Sequence, residues 1–201
     1  MDQRDQYNKA NAAARSDAVA DAIRAATPNA SQLVAMDYGC GPGHIGFRLA
    51  DHFAKVIFVD PDPDALAQAT EASSQLTNVT TMMLDLAAET PPAGLRADVV
   101  FSCLSWHHVT DLDSLLDALP QVASGGQLFV ADMDPDGGAY HADLPDFDGV
   151  DGFDRSELTA LLLDHGYQDV SINDLWKGSK RIAGKLTPMS LFLLQARIPC
   201  V

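Results

Sequence analysis

The segment from Val34 to Gly46, VAMDYGCGPGHIG, holds the residues with the clearest chemical use. An acidic residue, Asp37, is followed by glycines at alternating positions, Gly39, Gly41 and Gly43, with Cys40 between them. Such a stretch ends a strand and turns the backbone tightly with no side chain in the way, so a ligand can lie against the main chain. From Gly41 onward the same residues spell GPGHIG, which also fits the G-x-G-x-x-G pattern that cradles a dinucleotide pyrophosphate. Two further carboxylates, Asp60 and Asp85, close the strand-like runs KVIFVD and VTTMMLD. Singly, each has an ordinary use as a helix cap or turn residue. In series on one sheet edge they suit a ligand with an amine, a ribose diol and an exocyclic amino group, and S-adenosylmethionine carries all three. They count against NAD, because a pyrophosphate needs backbone N–H groups and gains nothing from an acid directly before the glycines. Asp60 alone does not discriminate, since both cofactors want a carboxylate near a ribose.

The elements that must position these residues alternate along the chain. An Ala-rich helix runs from Asn8 to Ala26, with Val19 and Ile23 at helical spacing, and Thr-Pro stops it. Strand-like runs follow at Leu33–Asp37, Lys55–Asp60, Val79–Asp85, Ala97–Leu104 and GQLFVADMD from Gly126. Helical patterns lie between them: His44–Phe53, a segment opened by Pro61 and Pro63 and running to Leu76, and Leu112–Val122. After a polar loop, Asp134–Asp154, the run FDRSELTALLLDHGY reads as a helix capped by Asp154 with Glu157. Two last strand-like runs, YQDVSINDLW and SLFLLQARI, are joined by a basic loop and no helix, so they should pair antiparallel. Strict alternation with near-continuous apolar strands predicts an α/β doubly wound sheet, parallel and covered on both faces.

Composition narrows the setting. At 201 residues, 47% hydrophobic and 20% charged, the chain reads as one ordinary globular domain. No apolar run approaches a bilayer span and the polar start MDQRDQ lacks a secretory signal pattern, so a cytoplasmic location and no membrane partner are expected. The net charge of −15 argues against nucleic acid as a partner. Cys40, Cys103 and Cys200 fit neither a disulfide framework nor a zinc pattern, and the Asp-rich loop does not match the EF-hand spacing, so no metal is expected.

Taken in order, DYGCGPG, FVDPDP, the pair Asp85-Leu86, DVVFSCLSWHHV and ASGGQLFVADMD resemble class I S-adenosylmethionine-dependent methyltransferases. The similarity covers nearly the whole chain and is greatest to small stand-alone bacterial methyltransferases of the type 11/12 kind, which end in a GFDR helix and an FLLQAR-like strand. The resemblance implies a Rossmann-like sheet of seven strands, order 3-2-1-4-5-7-6 with strand 7 antiparallel. One domain would span residues 1–201, with an N-terminal helical segment at 1–30 and a lid loop at 134–154. It assigns S-adenosyl-L-methionine as cofactor and S-adenosyl-L-homocysteine as product. It places Asp37, Gly39, Cys40, Gly41 and Gly43 by the methionine half, Asp60 on the ribose with Pro61 against the adenine, and Asp85 and Leu86 flanking the adenine. Backbone at Ser102 and Cys103 would hold the aminoacyl part, with Cys40 a small buried filler.

Methyl transfer is an in-line displacement in which the enzyme mainly holds the acceptor close, aligned and dry, effects worth about 7–11 kcal/mol. A general base adds a smaller share, about 10²–10⁴-fold. His107 and His108 follow the fourth strand, and either one orients or deprotonates the acceptor, or the pair packs around the loop. Adjacent residues point in different directions, so at most one of the two is expected to face the pocket. Trp106 is either an aromatic wall for the acceptor or a core anchor. Tyr140, His141 and Phe147 are the lid's contacts with substrate. Lys177, Lys180, Arg181 and Lys185 would sit at the pocket mouth, with Lys180 and Arg181 attracting an anionic small-molecule acceptor, or else form a solvated hairpin tip. Against a protein or RNA acceptor stand the acidic composition and the lack of an appended recognition domain; an NAD oxidoreductase or a non-catalytic cofactor binder are further alternatives. The N-terminal helix either covers the cofactor, with Tyr7 as a contact, or supports a dimer, so monomer and homodimer both remain open.

Overall fold

The central apolar runs become strands buried on both faces of one sheet, whereas the strands at its two edges are only partly covered. The computed structural model describes residues 3–144 and 146–201. Its strands are β1 (Val34–Tyr38), β2 (Lys55–Asp60), β3 (Val79–Met83), β4 (Val99–Cys103), β5 (Gln127–Met133), β6 (Gln168–Ile182) and β7 (Lys185–Arg197). The helices are α1 (Gln3–Ala26), α2 (Gly46–Leu49), α3 (Pro63–Ala72), α4 (Leu112–Ala123) and α5 (Arg155–Asp164). The sheet has seven strands in the order β3-β2-β1-β4-β5-β7-β6, as expected. Neighbours from β3 to β5 are parallel, and β7 runs antiparallel to both β5 and β6. The order reverses between β1 and β4, where such a sheet opens a cleft outside its carboxyl ends.

Period-two alternation divides the strand side chains between two apolar layers. Met36, Ile57, Val59, Val100, Leu128 and Val130 pack with Leu115, Leu119, Leu158 and Leu162 of α4 and α5. Their sequence neighbours Ala35, Val56, Phe58, Val99, Phe101 and Phe129 pack with Val19, Ile23 and Leu49 of α1 and α2. Aspartates start the helices: the side chains of Asp62, Asp111 and Asp154 accept from the first free N–H groups of α3, α4 and α5.

Two expectations need correction. The helix after the glycines is only Gly46–Leu49, not 44–53, because the loop must first bring the Gly46 N–H onto Asp37 and because β2 begins at Lys55. The basic segment is not a loop. The β6–β7 ladder continues to Ile182↔Lys185 and closes through Ala183 and Gly184, both at positive φ (47° and 80°), the conformation of a tight two-residue hairpin turn. Gly178 breaks the strand signal in the sequence, yet in the ladder it makes room for the Trp176 indole, which a Cβ there would meet at 2.2 Å. The extended hairpin supports the start of α1: the Tyr7 hydroxyl lies 2.5 Å from Ser179 Oγ, and Asn8 bonds both backbone groups of Arg181.

Candidate functional site

The cleft is built from the ends of β1, β2 and β4. After Tyr38 the chain turns so that the N–H groups of Gly39 and Cys40 both donate to the Val59 carbonyl, at 2.8 and 3.1 Å. Gly39 has φ +68°, and a Cβ there would lie 1.7 Å from Ser105 Oγ, so the position requires glycine twice over. Gly41 is different: the place of its missing Cβ has no atom within 4 Å, which leaves the loop's crest open to a ligand. Cys40 is buried, and its thiol donates to the Gly41 carbonyl.

Asp37 is buried, with Oδ2 accepting from Gly46 N–H at 2.9 Å. Burial pushes its carboxyl up to about 8; the Gly46 hydrogen bond opposes this, and the nearby Asp60 adds to it. Asp60 sits at the end of β2, buried, with Oδ2 accepting from Gly41 N–H (2.6 Å) and Oδ1 from Asp62 N–H (2.9 Å). Two carboxylate oxygens offer about four acceptor sites, so Asp60 retains capacity for a diol while it braces the loop. Asp85 is half-buried; its Oδ1 takes the Ala87 N–H and the Tyr38 hydroxyl. Leu86 turns into the core at 2% exposure, which leaves Asp85 as the member of the pair at the cleft edge. Pro61 is exposed beyond β2.

At the end of β4, Ser102 is buried and its Oγ has no hydrogen-bond partner among the described residues. Burial pushes the Cys103 thiol up to about 12, which makes it a poor nucleophile. Leu104 then adopts φ 54°, a conformation costly for leucine, and this kink brings Ser105 against Gly39. One turn of 3₁₀ helix follows, Trp106–His108. Trp106 is 1% exposed and packs in the core cluster with residues of α4. A large indole in a 3₁₀ turn directly over the core has more apolar surface to bury inward than outward.

The two histidines differ in exposure yet keep their rings close. His107 is buried with Nδ1 2.7 Å from Asp132 Oδ1, while His108 is exposed, yet their ring centroids are only 4.3 Å apart. Both approach His141 of the 134–154 loop, at 5.1 and 5.8 Å. His141 stacks on Phe147 at 3.7 Å, and Val150 N–H donates to the His107 carbonyl, so the loop is tied down on the histidine turn. Burial holds both His108 and His141 below the usual imidazole range, and the neighbouring imidazoles add to the effect. Asp134, Arg155, Ser190 and Asp174 form a network that fixes the loop's base to α5 and the hairpin.

A cavity of about 230 Å³ lies between α1, the loop and β6, with Arg15, Tyr140, Trp176 and Lys180 in its walls. The Lys180 ammonium lies 4.1 Å over the Tyr140 ring. The other basic residues turn elsewhere. Arg181 lies over Tyr7, Lys177 pairs with Asp174, and Lys185 is exposed at the hairpin turn. Arg181 is not a wall of this cavity, since its guanidinium is drawn over the Tyr7 ring instead. Tyr7 likewise serves the hairpin, through Ser179 and Arg181.

Arg15, Ser105, Asp132 and Gly46 escaped the sequence reading. Arg15 Nε is buried without a partner among the described residues, and its charge acts on both Cys103 and His44. Asp132 carried one usable signal: a carboxylate inside an apolar strand must have a buried partner.

Residues 35–126 match the methyltransferase domain family. No curated protein matches the chain. Among solved structures, a SAM-dependent methyltransferase from Aquifex aeolicus is 17% identical, with 98% of this chain and 100% of that one covered and a TM-score of 0.67. Magnesium protoporphyrin IX methyltransferase (ChlM) from Synechocystis PCC 6803 with bound SAH is 18% identical, with 98% and 88% covered and a TM-score of 0.67. The [4+2]-cyclase SpnF is 17% identical, with 92% and 82% covered and a TM-score of 0.71. At such identities the common property is the fold.

Proposed function

We propose that this chain, a class I methyltransferase by fold and by the domain its residues 35–126 match, transfers a methyl group from S-adenosylmethionine to a small-molecule acceptor. The observation that carries the reading is the set of three aspartates, Asp37 and Asp60 at the carboxyl ends of β1 and β2 and Asp85 two residues beyond β3, around a glycine loop with an open crest. Other features of the cleft fit the cofactor. Asp37 is held buried beside a second carboxylate, an arrangement that a bound ammonium relieves. Ser102 Oγ is a buried polar atom in want of a partner, and the Gly41 crest leaves space for a ligand. ChlM, of the same fold, was solved with bound SAH.

In this reading Asp37, Gly39, Gly41, Gly43 and the backbone at Ser102 and Cys103 hold the methionine half, with Cys40 as packing. Asp60 takes the ribose hydroxyls, Pro61 and Asp85 border the adenine, and Leu86 supports it from the core. The bound cofactor supplies an electrophilic methyl group on a sulfonium sulfur. The chain's own work is to place the acceptor in line with it and to exclude water. His108, the exposed member of the pair, accepts a hydrogen bond from the acceptor and orients it, and Asp132 fixes His107 beneath. The cavity at Arg15, Tyr140 and Lys180 receives the acceptor's body, and its cationic walls favour an anionic group such as a carboxylate or phosphate. Among the described residues no helix is long and apolar enough to cross a membrane, and the net charge of −15 disfavours nucleic acid.

The test is incubation with methyl-labelled cofactor and a cell extract separated into small-molecule, protein and RNA fractions. Label in the small-molecule fraction supports the reading. Label in protein or RNA alone moves the acceptor to that class. A chain that binds the cofactor and labels nothing would point to other chemistry on this fold, of which the cyclase SpnF is an example.

A further inference from the structure

We propose that His107, His108 and His141 form a binding site for one divalent transition-metal ion, closed from outside by the 134–154 loop. One nitrogen from each ring lies within 4.8 Å of the others. Three imidazoles are a sufficient protein set for zinc, with a fourth position left for water or an oxygen or sulfur ligand. Zn–N bonds of about 2.0–2.1 Å at tetrahedral angles put two ligands about 3.4 Å apart, so the widest pair must close by up to about 1.4 Å. Rotation of the exposed His108 side chain and a shift of the His141 ring along its stack on Phe147 would supply that movement.

The second observation concerns the buried atoms. His107 is 1% exposed and its Nε2 has no hydrogen-bond partner among the described residues; His141 is 5% exposed and its Nδ1 has none either. Buried polar atoms are ordinarily satisfied, and two orphans in one cluster ask for a common partner. His107 is also already oriented. A carboxylate only accepts, so the Nδ1 that faces Asp132 Oδ1 at 2.7 Å is the donor, and Nε2 keeps its lone pair for an ion. A histidine that bonds a carboxylate through one nitrogen and a metal through the other is the common arrangement in metal centres. The charges around the cluster are mostly negative: Asp132 and Asp148 act on His108, and Asp136 and Asp151 on His141, where Lys180 opposes them. The spacing hides the site from sequence reading, because two adjacent histidines and a third in a distant loop match no linear metal pattern.

The His108 lone pair cannot serve an ion and the acceptor at once, so a bound ion would replace the direct contact proposed above; metal binding is measured without cofactor or acceptor, which keeps its failure distinct from failure of the methyl-transfer reading. The full chain, stripped with chelator, is titrated with Co²⁺ and followed by visible absorption, and Zn²⁺ is then added as competitor. The expected result is one Co²⁺ per chain with the strong d–d bands of a four- or five-coordinate ion, displaced by Zn²⁺. His108→Ala and His141→Ala should each weaken binding by about 10–100-fold or more and lose those bands. His165→Ala, at a surface histidine on Asp113 and Asp117, should bind as the parent does. His108 is exposed and His141, though buried on Phe147, lies outside the two main core clusters, and thermal melts of the metal-free proteins verify that each variant is folded. Absence of saturable binding in the parent, or undiminished binding in folded His108→Ala and His141→Ala, overturns the proposal.

Discussion

Asp37→Asn separates the burial of this carboxylate from everything else in the cleft. In the ligand-free chain burial lifts the Asp37 carboxyl from 3.8 to about 8, with Asp60 adding to the rise. The folded chain therefore keeps a proton between those limits that the unfolded chain has released. Stability contributed by the protonated form is full below the unfolded value and falls as pH rises, by about 1.4 kcal/mol per pH unit, until the folded value is passed. Between pH 5 and pH 7 the parent should lose about 2–3 kcal/mol relative to Asp37→Asn, which cannot ionise. Urea denaturation of both proteins at the two pH values measures the difference. The same residue should couple to the ligand. A cofactor ammonium draws Asp37 into its ionised form, so binding of S-adenosylhomocysteine at pH 7 should release a proton, seen by calorimetry in buffers of different ionisation enthalpy. Asp37→Asn should abolish the release and, with loss of a charge-assisted bond of about 1.5–3 kcal/mol, weaken binding by about 10–100-fold. Parallel stability changes in the two proteins, or binding with no proton release by the parent, would refute this account of Asp37.

Gly39→Ala should cost about 1–3 kcal/mol in urea denaturation, because the new methyl group meets Ser105 and the backbone sits at φ +68°. Lys180→Met should raise the KM for an anionic acceptor, with kcat changed much less, whereas Arg181→Met should leave KM near the parent's, since Arg181 lies on Tyr7 outside the cavity wall. His165 is raised by its hydrogen bonds to Asp113 and Asp117, so its stabilising charge is present below the ordinary imidazole value and lost as pH rises through the raised one. His165→Ala should accordingly destabilise the chain by up to about 1 kcal/mol in mildly acidic solution and have little effect at alkaline pH, as followed by thermal melts.

The fold was legible because strand burial leaves a strong trace. β2 is apolar from Val56 to Val59 and was bounded to the residue, and the antiparallel pair at the C-terminus followed from the lack of a helix between two apolar runs. The glycine loop and its carboxylates were legible for the same reason: backbone turns and buried acids restrict residue type. The hairpin extension was not, since Lys177, Gly178 and Lys180 obey no apolar alternation and their pairing is fixed by the Ala183-Gly184 turn and by α1. Trp106 was ambiguous because its type suits a pocket wall as well as a core. The histidine cluster depends on where the 134–154 loop folds back, through Val150 on His107, and no local pattern encodes that contact.

The central claim is that the acidic strand ends select S-adenosylmethionine over a dinucleotide. Titration of S-adenosylhomocysteine and, separately, NADH into the purified chain by calorimetry tests it directly. The account predicts one S-adenosylhomocysteine bound per chain, with no heat of binding from NADH. Binding of NADH with no response to S-adenosylhomocysteine would contradict it.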